Sequence, residues 1–507
     1  MKIANKKQHF QYQILIVDAL IYLLTISISL FFFTKTMFFN TSKTPEHIAL
    51  AIFLPSFILI ATIIIATLTI EKKYNHFEFR KLYLILGVII ALINIIAICV
   101  LPSEISLPYC TEKFLITGID RLYGILYGFI IAFLPLLFFY VLPRRFTNRK
   151  YLKVFLIFLL CVIFLSIIIS FIKDFNCYYL TIKSKFADIS HPVTSIFFHK
   201  NFFASFLLAG IILSIWLHVL YKNWRWLLAI IPLFIVQIFT FAKMTIFVSF
   251  ILILAYLIYR IILCAKKNRD NLVITSLISA FLIIFITTFA ILIYNSQSGI
   301  LFNIKKAINS VLESAKSTLS SRLIIWDDVF KILMPFQYIF GFGFALVGNA
   351  IQATYAHDPR LPEDPSAIIH AHNSGVEMIA EGGIIYLLLN IFLYAYLIYI
   401  AAKLRKQNNQ ILPITIIFIA IMLIQGITEP IFILGENFNI VFSIVIIVPV
   451  MSEYYRLIDE SEMQNHKEIA NKIKQMKNEK FTNLFLKINQ KFYLIASRDI
   501  KKDSKIK

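Results

Sequence analysis

Long apolar runs separated by short basic connectors set the pattern of the chain. Runs able to cross a bilayer as helices fall near 13–33, 47–70, 81–101, 122–142, 151–172, 202–220, 226–241, 244–264, 272–294, 375–402, 411–427 and 438–455. A helical span needs ~20 mostly apolar residues, so the pattern predicts about twelve membrane helices. The runs are continuously apolar rather than alternating, which excludes a transmembrane β-barrel. The expected fold is all-α and polytopic. The first run follows Lys6 and Lys7, reaches spanning length and has no small-residue cleavage site behind it, so a retained helix is expected there.

The connectors alternate in charge. One side holds the N-terminus, 71–81 (Lys72, Lys73, Arg80, Lys81), 143–150 (Arg144, Arg145, Arg149, Lys150), 221–225, 266–269 and 403–406. The other connectors are poorer in Lys and Arg for their length. The positive-inside rule makes the first set cytoplasmic, with both termini on that side. The expected location is a bacterial inner membrane.

One connector stands apart. Residues 295–373 form an external, periplasmic loop of roughly 80 residues, a size that is usually functional in a compact protein. Within it, 315–334 reads as an amphipathic helix with Leu319, Leu323, Trp326 and Phe330 on one stripe. Gly341-Phe342-Gly343 then marks a break. The expected organisation is helices one to nine over 1–294, the loop with the catalytic residues over 295–373, helices ten to twelve over 374–456, and a basic cytoplasmic tail over 457–507. In that tail Phe481, Leu484, Phe485, Ile488, Phe492 and Ile495 suggest either a helix lying on anionic lipid or a solvated extension.

Composition sharpens this picture. Of 507 residues, 59% are hydrophobic and only 15% charged, too few charges to cover a soluble protein of this length. The formal charge of +21 sits in connectors and tail, where topology and anionic lipid headgroups select it, so no nucleic-acid partner is expected. Cys110 and Cys177 both fall in external loops, where an oxidising compartment would permit a disulfide.

Polar groups gather on the external side: Lys243, Arg322, His357, Asp358, Arg360, Glu363, Asp364, His370, His372 and Asn373, with Glu377 and Glu381 on the following helix. Ser374 and Glu377 have the spacing of a capping box, which would start the tenth span there. His372 just outside that start is placed to take a proton from a hydroxyl, although an isolated histidine there reads first as a solvated or capping residue. Glu381 lies two turns into an apolar helix, where an ionisable group is functional by default or pairs with a basic neighbour. Arg322 has the fork that suits phosphate oxygens, its alternative being an exposed charge. Lys243 interrupts an apolar stretch at a span junction, for a phosphate contact or for snorkelling to headgroups. His357, Asp358, His370 and His372 match no compact metal-ligand pattern, and no metal or cofactor is expected.

Taken in order, these residues resemble the O-antigen ligase family, which shares a domain with O-antigen polymerases. His372-Asn373, nine residues, Gly383, two residues and Tyr386 match the family's His-Asn-x9-Gly-x2-Tyr pattern. Arg322 followed by Trp326, and then Gly341-Phe342-Gly343, look like its Arg-x3-Trp and Gly-x-Gly segment, and Asn201-Phe202-Phe203-Ala204 resembles its Asn-x-x-Ala entry to the sixth span. Ala242-Lys243 departs from the Ser-Arg usual in the family, which keeps the charge but loses the bidentate fork. The resemblance implies a metal-independent, inverting membrane glycosyltransferase. It would move a glycan from undecaprenyl diphosphate to lipid A–core oligosaccharide, with His372 as catalytic base, Arg322 and Lys243 on the diphosphate, and Asn373 and Glu381 in support. The alternatives are a polymerase using the same donor and, from another class, a transporter or flippase, which should show broken helices and charges near the midplane.

Overall fold

The computed structural model describes residues 77–108, 113–184, 191–197, 199–267, 322–344, 346–355, 370–431 and 439–478. The expected spans 13–33, 47–70 and 272–294 lie outside these residues, as do Cys110, Leu319, His357, Asp358, Arg360, Glu363, Asp364 and the apolar stripe of the tail. Among the described residues, seven helices are long and apolar enough to cross a membrane, and two shorter apolar helices accompany them. The chain is an all-α multi-pass membrane protein. It divides into two compact units, Met1–Ser452 and Glu453–Lys507. In the second unit Arg456 pairs with Glu453 and Glu460 one turn either way on the same helix.

The first described span, α1 (Phe77–Val100), packs on α2 (Gly118–Leu136). A short antiparallel hairpin, β1 (Glu104–Ser106) with β2 (Lys113–Leu115), joins them. Arg121 closes the end of α1 by donating to the Ile98 and Leu101 carbonyls at 2.7 and 2.6 Å, which would otherwise have no helical partner. After α3 (Arg149–Lys173) and α4 (Phe175–Lys183) comes α5 (Lys200–Tyr221), buried at every position from 203 to 220. A helix apolar on all sides belongs in a bundle interior, and α5 takes that place, packed on α3, α6 (Ile230–Phe239) and α7 (Lys243–Lys267). Other spans expose one apolar face: Ile85, Val88 and Leu92 on α1, and Phe247, Phe250 and Leu254 on α7. Those are the surfaces that hydrocarbon would cover.

The described part of the long loop holds α8 (322–332), α9 (Gln337–Phe340) and α10 (Val347–Tyr355). It packs against the end of α1, the hairpin and the start of α11 (Ser374–Leu404) through one apolar cluster. The stripe of α8 that enters this cluster is Ile325, Val329 and Ile332. Of the expected stripe, Trp326 and Phe330 pack against the same cluster while partly buried, and Leu323, 54% exposed, does not enter it. The remaining elements are α12 (Ile411–Gly426) and α13 (Asn439–Asn478).

The loop meets α11 backbone to backbone. α11 is broken at Gly383, where φ is 70° and ψ −172°. The break releases the Ala380 and Glu381 carbonyls from their helical partners, and Phe342 and Gly343 N–H groups reach them at 2.8 and 3.0 Å. A Cβ on Gly383 would lie 2.0 Å from the Ile339 oxygen, and one on Gly341 2.2 Å from the Glu381 oxygen. Only glycine admits so close an approach, and both residues also need positive φ. Asn94, buried on α1, completes the junction by accepting from Phe344 N–H at 3.0 Å and donating to the Gly124 carbonyl at 2.9 Å.

Candidate functional site

His372 stands on a short segment whose backbone is fixed on both sides. Asn373 is the N-cap of α11, its Oδ1 accepting from Gly375 and Val376 N–H at 2.8 and 3.0 Å. The expected Ser374–Glu377 capping box is therefore displaced. The cap falls one residue earlier, because the Ser374 hydroxyl is engaged elsewhere, accepting from Ile431 N–H and lying 2.8 to 3.0 Å from the Ile431 and Glu429 carbonyls. Glu377 turns back instead, and its Oε2 accepts from Ala371 N–H at 2.6 Å. On the other side the Ala371 carbonyl accepts from the Trp326 indole at 2.9 Å, which gives the Arg-x3-Trp spacing a physical reason. Between these anchors His372 adopts φ of +50°, a left-handed conformation that neighbours must impose on a residue of this size.

The segment after α12 lies against this helix start. Asn373 Nδ2 donates to the Ile427 carbonyl at 3.2 Å, next to the Ser374 contacts. Glu429 is thereby brought into a ring of polar groups. Its Oε1 accepts from Asn201 Nδ2 at 2.8 Å and faces Arg322 at 3.3 Å, and its Oε2 lies 3.8 Å from His372 Nδ1. The side chains are only 12% exposed for Arg322, 17% for His372 and 8% for Glu429. Burial raises the Glu429 pKa, but His372, His370 and Arg322 outweigh it and hold the carboxyl at about 2. The His370 ring stacks edge-on 4.0 Å from that of His372, and its Nδ1 accepts from His372 N–H at 3.2 Å. Burial, then the neighbouring His372, keep the His370 pKa well below the ordinary imidazole value. Burial likewise lowers the pKa of His199, the N-cap of α5.

The approach to α5 is itself braced. Asp174 Oδ2 accepts from Thr194 and Ser195 N–H at 2.9 and 2.6 Å, and Lys173 donates to the Ser195 carbonyl at 2.5 Å. Lys243 begins α7, and its charge acts on that of Lys200 at the start of α5. Thr245, on the first turn of α7, accepts from Gln425 at 2.8 Å, four residues before Glu429. The starts of α5, α7 and α11 and the end of α12 thus meet at one end of the helices.

Arg322 and His372 are brought together on Glu429, with Asn373 capping the helix beside them, and Lys243 is related to this group through its charge's effect on Lys200. Glu381 is buried two turns along α11, and its backbone rather than its position near His372 is what the geometry explains. The residues that sequence reasoning passed over are Glu429, His199, Lys200 and the side chain of Asn201. A signal existed for Glu429, an acid before Pro430 at the end of an apolar run. His370, His372 and Glu429 offer potential ligand atoms within 4.8 Å of one another. Arg322 already supplies positive charge to that carboxylate, so the set fits an ion-paired hub better than a cation site. Cys177 carries a free thiol.

Residues 247–391 match the family described as O-antigen ligase. The matched stretch is less than a third of the chain, and over it the chain is similar to that family. It takes in Arg322, His372 and Asn373 and stops short of Glu429. No curated protein matches the chain.

Proposed function

We propose, with that family match as the premise, that the protein is an O-antigen ligase of the bacterial inner membrane. It moves a glycan from undecaprenyl diphosphate to a sugar hydroxyl of lipid A–core oligosaccharide on the periplasmic face. The observation that carries the reading is the convergence of a permanent cation, Arg322, and an imidazole, His372, on one buried carboxylate at a single end of the helices. A lipid diphosphate anchored in the bilayer presents its phosphates at that level, where a guanidinium can fork onto them and stabilise charge as it leaves. Lys243 adds a second cation without the fork.

In the proposed step His372 takes the proton of the acceptor hydroxyl. The acceptor oxygen bonds to the anomeric carbon as the bond from that carbon to the donor phosphate breaks. The electron pair departs on the diphosphate, and attack from the opposite face inverts the centre without a metal. Asn373 keeps His372 in place through the helix cap, and Glu381 supports the site through the backbone junction with the loop.

The test is transfer in vivo with full-length His372→Ala and Arg322→Ala. Both are expected to insert normally and to leave lipid A–core without glycan. Variants that still cap lipid A–core would refute the roles assigned. In a strain lacking the protein, core without any O-chain supports ligase, and core bearing a single repeat points to the polymerase that uses the same donor.

A further inference from the structure

We infer that Glu429 is the positioning residue of this site, its carboxylate joining the cation that receives the donor diphosphate to the imidazole that receives the acceptor proton. The inference rests on the proposed function and deepens it. The two carboxylate oxygens are divided between different tasks. Oε1 serves Arg322 and Asn201, at 3.3 and 2.8 Å, and among the described residues Oε2 faces the His372 ring, at 3.8 Å. A plain Arg–carboxylate brace would use both oxygens in a bidentate fork; here one oxygen is left for the imidazole.

Backbone contacts make that arrangement durable. Glu429 N–H donates to the Gln425 carbonyl at 3.0 Å, so the residue continues directly from the end of α12. Ser374 grips the chain at Glu429 and Ile431, while Asn373 grips it at Ile427. The residues immediately after His372 therefore hold the main chain on both sides of Glu429. The separation of the two side chains is set by this clasp rather than by long flexible stems.

Among the described residues His372 Nδ1 is buried with no hydrogen-bond partner, and the atom facing it is Glu429 Oε2. A buried ring nitrogen calls for a partner. Closing the 3.8 Å gap by less than an ångström would supply one, with Nδ1–H donating to the carboxylate. Nε2 is then the unprotonated nitrogen, directed to the acceptor hydroxyl. After the transfer the imidazolium lies beside the carboxylate and the departing diphosphate beside Arg322. Donor phosphate on Arg322 draws that cation from Oε1 and leaves more of the carboxylate's charge for His372.

The other charged and titratable groups around this pair are His370 on the same segment, His199 and Lys200 at the start of α5, and Arg322 on α8. Each is retained in the experiment. Full-length protein in vesicles of bacterial polar lipid is given undecaprenyl-diphosphate-linked glycan and purified lipid A–core, and initial rates are followed from about pH 5 to 9. Glu429→Gln is expected to lower kcat about 100-fold and to move the acid limb of kcat down by about one pH unit, with donor KM unchanged or lower. Glu429→Asp keeps the charge, so its acid limb stays in place while kcat falls less.

A Glu429→Gln protein with the wild-type kcat and acid limb, alongside an inactive His372→Ala, overturns the role of Glu429 and leaves the proposed function standing. An active His372→Ala overturns the proposed function itself. If Glu429→Gln does not accumulate, Glu429→Asp decides the matter. A reduced kcat at unchanged donor KM supports the inference, and an unchanged kcat overturns it.

Discussion

The long loop is joined to α11 and its surroundings at two places that work by different physics. At Gly341 and Gly383 the contact is backbone on backbone, with side chains excluded and two N–H groups completing carbonyls freed by a helix break. At Glu429 the contact is between side chains, and charge decides it. The first kind fixes position and leaves nothing to titrate. The second kind is adjustable by protons and by phosphate, which suits a place where a proton and a diphosphate are to be handled. Placement and chemistry are thus separated along one helix, a little over two turns apart.

The sharpest way to break this division is Gly383→Ala. A Cβ there meets the Ile339 oxygen at 2.0 Å and must also accept φ of 70°. Steric overlap with backbone and left-handed strain add, so a loss of several kcal/mol is expected. The measurement is the amount of monodisperse protein after detergent extraction and its melting temperature. A variant as stable as the parent would show that the loop does not depend on this crossing. At the other contact, Arg322→Ala and His372→Ala are expected to give normally inserted protein with transfer reduced at least 1,000-fold. Arg322→Lys should recover part of that activity, because charge is kept and the fork is lost.

The two contacts should also respond differently to acid. Glu429 is held at about 2 in the fold against an ordinary 4.5, so its contribution is complete above about pH 4.5 and is lost as pH falls toward 2. A displacement of that size is on the order of 3 kcal/mol. His370 is held well below 6.5, so the unfolded chain takes up a proton first, and stability already declines as pH drops below 6.5. Melting temperature measured from about pH 8 to 3 should therefore fall in two stages. Glu429→Gln should remove the lower stage and keep the upper one. A single stage in both proteins would mean that Glu429 is not held in its charged form by this ring.

The same contrast explains what could be read in the sequence. The spans that fall within the described residues were legible because each apolar run carries its own evidence over ~20 consecutive residues. Arg322 and His372 were legible through spacing, since Trp326, Asn373 and Gly383 follow them at short fixed distances. Glu429 was not, because its partners lie 107 positions away at Arg322 and 228 at Asn201. No local pattern encodes contacts of that separation. The capping box was misplaced by one residue for a related reason: Ser374 is diverted by Ile431, 57 residues on.

The smallest effect tests the edge of the stripe on α8, where Leu323 is exposed while Trp326 and Phe330 pack against the cluster. Periodicity alone cannot distinguish two stripes on a helix when both are apolar, and α8 carries Leu323, Trp326 and Phe330 beside Ile325, Val329 and Ile332. Burial chooses the second set, with Val329 fully enclosed and Leu323 more than half exposed. Val329→Ala removes two buried methyl groups from the cluster that seats the loop, so a loss of about 1 to 3 kcal/mol is expected. Leu323→Ala removes surface that the fold leaves uncovered, and a change within about 0.5 kcal/mol is expected. Paired melting curves compare them directly. If Leu323→Ala proves as costly as Val329→Ala, α8 has a covering that Leu323 completes, and the first stripe would regain its claim as the one that docks the helix.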